Sequence, residues 1–236
     1  MGETVGFPSN GEASSGYLAT APSGRGPGVI VIQEYWGLVP HIQNICERFA
    51  REGFVALAPD LFRGKSATLQ EPDQAGKLLM ELQLDRAARD MLGAANWLVS
   101  NERASGDRVG IVGFCMGGAL ALYAATLSDV FAAVVPFYPY FGKTDAAKPE
   151  YNRIRGAVLG HFAEHDGAYS RGQVDDLEEQ LRQARVNVEF FWYPGTDHAF
   201  FNDDRPQVFN EDAARLAWDR TLAFFRTHLA TTPAPV

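Results

Sequence analysis

Short, mostly apolar runs recur along this chain at Gly28 to Ile32, Val55 to Ala58, Val109 to Val112, Ala132 to Val135, Ala157 to Leu159 and Val188 to Trp192. Runs of this length suit strands buried on both faces, since a strand with one wet face would alternate apolar and polar residues. Between them the apolar positions change to a three-to-four-residue repeat, over roughly Pro40 to Glu52, Asp73 to Ser100, Met116 to Thr126, Arg171 to Ala184 and Asn210 to Leu229. That spacing lines one side of a helix. Alternating strands and helices predict an α/β fold with a mostly parallel central sheet and helices on both faces. Weaker segments around Val5 and Tyr17 predict an antiparallel hairpin at one edge, and Pro22 to Gly28, rich in Gly and Pro, a turn into the first parallel strand. No repeat interrupts the pattern, so 1–236 reads as a single domain whose Thr/Pro/Ala end, 231–236, is expected to be loose.

Composition narrows the function classes. With 46% hydrophobic and 21% charged residues in 236, the chain has the means to bury a core. Its formal charge is −8 and Lys and Arg do not cluster, so the electrostatic footprint of nucleic-acid binding is missing and a small neutral ligand is easier to accommodate. No apolar run approaches a membrane span, and Met1-Gly2-Glu3-Thr4 lacks the start of a signal peptide, which predicts a cytoplasmic protein. The two cysteines then read as free thiols. Cys46 sits among Ile42, Ile45 and Phe49 at helical spacing and reads as a small buried hydrophobe.

Cys115 is different. The segment Gly113-Phe114-Cys115-Met116-Gly117-Gly118 follows a strand and opens a helix, which is the pattern of a nucleophile elbow with Cys in place of Ser. Side chains at Gly113 and Gly117 would collide with the neighbouring helix and strand, and a helix beginning at the next residue points its positive end at the sulfur. A nucleotide-binding turn would need G-x-G-x-x-G, which is not matched.

A nucleophile on such an elbow needs an acid and a histidine, in that order, on loops after later strands. After Leu159 comes His161-Phe162-Ala163-Glu164-His165-Asp166, and after Tyr193 comes Pro194-Gly195-Thr196-Asp197-His198. His198 alone follows the last strong strand and precedes the last helix; His41, His161, His165 and His228 read as surface or structural. Asp166 competes with Glu164 and Asp197 for the acid, and is preferred to Asp197 because sequence neighbours in a loop usually point apart. The candidate ligands lack paired metal spacing, so no metal or organic cofactor is expected. Among aromatic residues near strand ends, Trp36, Phe62, Tyr138 and Phe200 are the candidates for an apolar substrate pocket.

From about Pro27 to Leu229 the chain resembles the dienelactone hydrolase (carboxymethylenebutenolidase-like) family of the α/β-hydrolase superfamily. The carrying segments are Gln33-Glu34-Tyr35-Trp36-Gly37, Ala58-Pro59-Asp60-Leu61-Phe62, the Cys115 elbow, the Asp166 loop and Tyr193-Pro194-Gly195-Thr196-Asp197-His198. The resemblance implies a Cys115, His198, Asp166 triad acting on a small-molecule ester or lactone, with a resting thiol that is not fully ionised. It implies that Glu34 exchanges partners when substrate arrives and helps make the thiolate; by position alone, Glu34 also fits a helix cap or a salt bridge. Backbone N–H groups of Tyr35 and Met116 are the expected oxyanion hole. Family members acting on dienelactone carry a Ser and an Arg where this chain has Ala199 and Asn202, and a second Arg where it has Pro72. The carboxylate clamp is thus replaced or lost, with Arg63, Lys77 and Arg205 as substitutes; a neutral or weakly polar substrate is expected. The rivals are a general carboxylesterase or acyltransferase, and a ligand-binding protein on a retired hydrolase fold. The oligomeric expectation is a monomer or homodimer.

Overall fold

The structure is a computed structural model that describes residues 2–9, 11–101, 103–142, 144–147 and 149–229; the expected loose end, 231–236, lies outside them. Eight strands form one sheet: β1 (Glu3–Ser9), β2 (Glu12–Ala19), β3 (Gly26–Ile32), β4 (Val55–Pro59), β5 (Ala104–Phe114), β6 (Phe131–Phe137), β7 (Ala157–His165) and β8 (Val188–Asp197). Their order is β1-β2-β4-β3-β5-β6-β7-β8. Strands β3 to β8 run parallel, while β2 is antiparallel to β4 and β1 to β2, which is the edge hairpin predicted from the weaker N-terminal segments.

The helices are α1 (Pro40–Arg51), α2 (Pro72–Glu81), α3 (Leu84–Ser100), α4 (Met116–Leu127), α5 (Arg171–Gln183) and α6 (Glu211–His228). Successive strand residues face opposite sides, and the core divides accordingly. Ile30, Ile32, Leu57 and Ile111 pack on one face with Met91 and Leu98 of α3, Leu120 of α4 and Leu177 of α5. Val29, Val31, Ala56 and Val112 pack on the other with Ile42 and Phe49 of α1 and Leu222 and Phe225 of α6. Helix α4 is buried almost all round, which explains why its sequence shows little polar face.

One helix expectation is corrected. The run from Asp73 to Ser100 is two helices, because Leu82 and Gln83 leave the helical conformation with ψ of 119° and 113°. Neither residue is a breaker by type; the bend lets Leu82 bury itself while α3 packs on the sheet. The chain leaves β3 for β4 on one side and later returns to β5 on the other, so the sheet order reverses beside β3. A crevice at the carboxyl ends of strands at such a point is where this architecture places ligands. The segments after β3, β5, β7 and β8 carry Glu34, Cys115, Asp166 and His198 to that end.

Candidate active site

Cys115 joins the end of β5 to the start of α4 with φ of 54° and ψ of −120°, a region that side-chain-bearing residues rarely occupy and that costs on the order of 1–3 kcal/mol. The surroundings hold it there. Its N–H donates to the Phe137 carbonyl at 3.1 Å, and its own carbonyl accepts from the N–H groups of Gly118 at 2.9 Å and Tyr140 at 3.0 Å. The flanking glycines are required by space. A Cβ on Gly113 would lie 2.0 Å from the Gly117 carbonyl oxygen, and one on Gly117 would lie 2.5 Å from the carbonyl oxygens of Ile32 and Gln33.

His198, immediately after β8, connects the elbow to the β7 loop. Its Nδ1 pairs with Asp166 Oδ2 at 2.8 Å, and its ring lines the same cavity as Cys115. Asp166 has a side chain only 5% exposed, and its second oxygen accepts from the Ala168 N–H at 2.8 Å, so the carboxylate cannot rotate away freely. Burial opposes charging the imidazole, but the hydrogen bonds and charges of Asp166 and Cys115 outweigh it and push the His198 pKa up to about 10. The rival acids point elsewhere. Glu164 accepts from the Gly195 N–H and pairs with His165, and Asp197 lies opposite His165 in the β7–β8 register.

Glu34 is buried beside the elbow. Its Oε2 accepts from Asn202 Nδ2 at 2.6 Å, and its Oε1 is one of the buried polar atoms without a hydrogen-bond partner among the described residues. Trp36 Nε1 and Tyr138 Oη are two others. Unsatisfied polar atoms gathered in one region are what a binding site leaves behind. The cavity there measures about 310 Å³ and is lined by Glu34, Tyr35, Trp36, Leu79, Cys115, Met116, Tyr140, His198 and Arg205. Burial and then the proximity of Cys115 raise the Tyr35 hydroxyl pKa, with Arg205 acting in the opposite sense.

Tertiary structure thus brings together Cys115, His198, Asp166, Glu34, Tyr35 and Met116. Of the aromatic candidates only Trp36 lines the cavity. Phe62 and Phe200 are buried in the two cores. Tyr138 is fully buried behind His198, its ring edge-on at 5.1 Å, with φ of 34°; burial, then Glu34 and Cys115, raise its pKa well above the usual tyrosine value. Of the three substitute cations, Arg205 reaches the cavity. Arg63 is held by Asp90 and Glu12, and Lys77 is exposed on α2 and absent from the lining. The sequence reading did not single out Leu79 or Tyr140. Leu79 carries no chemical signature, and Tyr140 stands among other aromatic residues with nothing local to single it out.

Comparison with known proteins agrees with this geometry. The family model for the dienelactone hydrolase family matches residues 15–229. "Protein usf" of Aquifex pyrophilus is 38% identical, the match covering 97% of this chain and all of that protein. A protein of Aquifex aeolicus named "Putative carboxymethylenebutenolidase" is 35% identical over the same shares. Among solved structures, the "Putative Dienelactone Hydrolase" of Klebsiella pneumoniae superposes with a TM-score of 0.85 at 28% identity, covering 95% of this chain and 98% of its own. The sheet order, the elbow and the family match together establish an α/β-hydrolase fold, and this chain belongs to the dienelactone hydrolase family.

Proposed function

We propose that the chain hydrolyses an ester or lactone through Cys115, with His198 as the proton carrier and Asp166 as its orienter. The observation that carries this reading is the place of His198: it holds Asp166 at 2.8 Å on Nδ1 and shares the cavity with Cys115, which sits on a strained turn. A structural histidine would not need a nucleophile at φ of 54° beside it.

In the first step the Cys115 sulfur, its proton passed to His198, adds to the carbonyl carbon, and the negative charge gathered on the oxygen is held by the N–H groups of Tyr35 and Met116. The C–O bond breaks, and the leaving alkoxide takes a proton from His198. Water then attacks the thioester, giving a proton back to His198, and the C–S bond breaks to release the acid. Glu34 shares the cavity with Cys115 and is the second carboxylate of the site, positioned to influence the ionisation of the sulfur.

For the substrate we propose a neutral or weakly polar ester or lactone. The resemblance puts Asn202 and Pro72 at two family arginine positions, and among the described residues Arg205 is the one Arg or Lys lining the cavity, which it shares with the carboxylate of Glu34, leaving little net charge to attract an anion. Turnover of an aryl ester, before and after alkylation with iodoacetamide and in Cys115→Ala, tests the reaction. Loss in both cases is expected. Full activity of Cys115→Ala would remove cysteine from the mechanism.

A further inference from the structure

Asn202 is buried in the loop between β8 and α6, and both polar ends of its side chain are engaged. Nδ2 donates to Glu34 Oε2 at 2.6 Å, while Oδ1 accepts from the Asp204 N–H at 3.1 Å. The second bond fixes the amide orientation, because a backbone N–H can face only the oxygen end. Its main-chain carbonyl accepts the Arg205 N–H at 3.0 Å, closing a turn. At the crest of that turn Asp203 is drawn the other way, onto His41 Nδ1 at 3.0 Å, and Arg205 comes to the cavity wall.

We infer that Asn202 is a positioning residue that sets both charged groups of the cavity wall: its amide orients Glu34, and the turn it closes presents Arg205. The inference rests on the proposed reaction only where turnover is the readout. A neutral amide holds the carboxylate without cancelling its charge, whereas an arginine at this place would neutralise it. The counter-charge comes instead from Arg205, three residues on, whose backbone N–H is held by the Asn202 carbonyl. Asn202 does not touch the reacting atoms in this scheme; it acts through its two neighbours.

Hydrogen bonding to a carboxylate favours its ionised form. Replacing Asn202 removes that bond, and the Glu34 carboxyl resonance in 13C NMR at one fixed pH, assigned with Glu34→Gln, moves. Asn202→Ala should shift it through the loss of one charge-assisted bond. Asn202→Asp, which keeps the shape and the acceptor for Asp204 but sets a like charge against Glu34, should shift it further. Asn202→Ala should also alter discrimination between a carboxylate-bearing ester and its methyl ester in the same direction as Arg205→Gln. A merely structural Asn202 would lower the melting temperature and leave the Glu34 resonance in place, and that result in either folded variant overturns the inference. Should both unfold, Asn202→Ser, whose shorter side chain breaks the bond to Glu34, is read in the same way: an unmoved Glu34 resonance in that variant overturns it equally. The NMR readout needs no turnover, so a chain that fails to hydrolyse esters would sink the proposed reaction without touching this assignment.

Discussion

A sulfur beside an imidazole favours the protonated ring, and at His198 this influence of Cys115 is the feature most open to measurement. His198 is pushed up to about 10 against the cost of burial, with Asp166 and Cys115 both raising it. In Cys115→Ala the contribution of the sulfur is gone and that of Asp166 remains, so the His198 imidazole, followed by NMR, should titrate below the wild-type value. An unchanged midpoint would mean that the sulfur and the ring are not coupled. Kinetically, His198→Gln and Asp166→Asn should each lower kcat by about 100- to 10,000-fold, and the double variant should be little worse than His198→Gln alone, because an orienter has no role without the residue it orients. Multiplicative losses would argue that Asp166 acts elsewhere.

Elements position these residues, and two of them make predictions of their own. At the start of α4, Gly117 touches the end of β3 so closely that a methyl group would lie 2.5 Å from two backbone oxygens. Gly117→Ala should destabilise the fold by about 1–3 kcal/mol in urea denaturation and lose turnover as α4 shifts from under Cys115. At the β7–β8–α6 junction, His161 Nε2 faces Thr221 Oγ1 at 3.0 Å and Nδ1 faces Tyr193 Oη at 2.8 Å. Thr221 spends its hydrogen on the Ala217 carbonyl and so accepts from Nε2; Tyr193 accepts from Arg220 and so donates to Nδ1. The neutral ring is satisfied and a second proton has no acceptor, in accord with a pKa lowered by burial, and then by Arg220, to about 3. The unfolded chain takes up that proton below about 6.5, so it binds more protons than the folded state between about 3 and 6.5. Stability from this site is complete above that window and falls as pH falls through it, by up to about 1.4 kcal/mol per pH unit. His161→Gln should flatten this part of the stability profile, and a slope identical to wild type would show that the site is not the source.

For the whole molecule, the decisive property is the charge balance of the cavity. With Glu34 and Arg205 in one wall, kcat/KM for the methyl ester of a carboxylate-bearing lactone should exceed that for the free acid. Arg205→Gln should weaken the acid further, by about one to two decades, and change the ester by less than about threefold. A strong preference of the wild type for the acid would show that Arg205 alone does the work of the family's clamp. No helix among the described residues is long and apolar enough to cross a membrane.

The parallel sheet was legible in the chain because buried strands must be continuously apolar, and Val29 to Ile32 or Val109 to Val112 can be little else. The elbow was legible for a related reason: Gly113 and Gly117 bracket Cys115 where no side chain fits, so a local pattern records a tertiary constraint. His198 and Asp166 followed from their order after successive strands, since parallel strands deliver their following loops to one end of the sheet. The break at Leu82 left no mark, because burial against the sheet, and not a breaker residue, bends the chain there. The aromatic candidates were likewise undecidable by type: Trp36 faces the cavity while Phe62 and Phe200 fill the cores, and burial is a property of packing. Most of all, the bond from Asn202 to Glu34 spans 168 positions. Sequence by itself determined which strands, turns and reactive residue types this chain has, because those depend on neighbours a few positions away. Only the tertiary structure decided which carboxylate, amide and guanidinium share a wall, because that depends on contacts made when distant loops meet above the sheet.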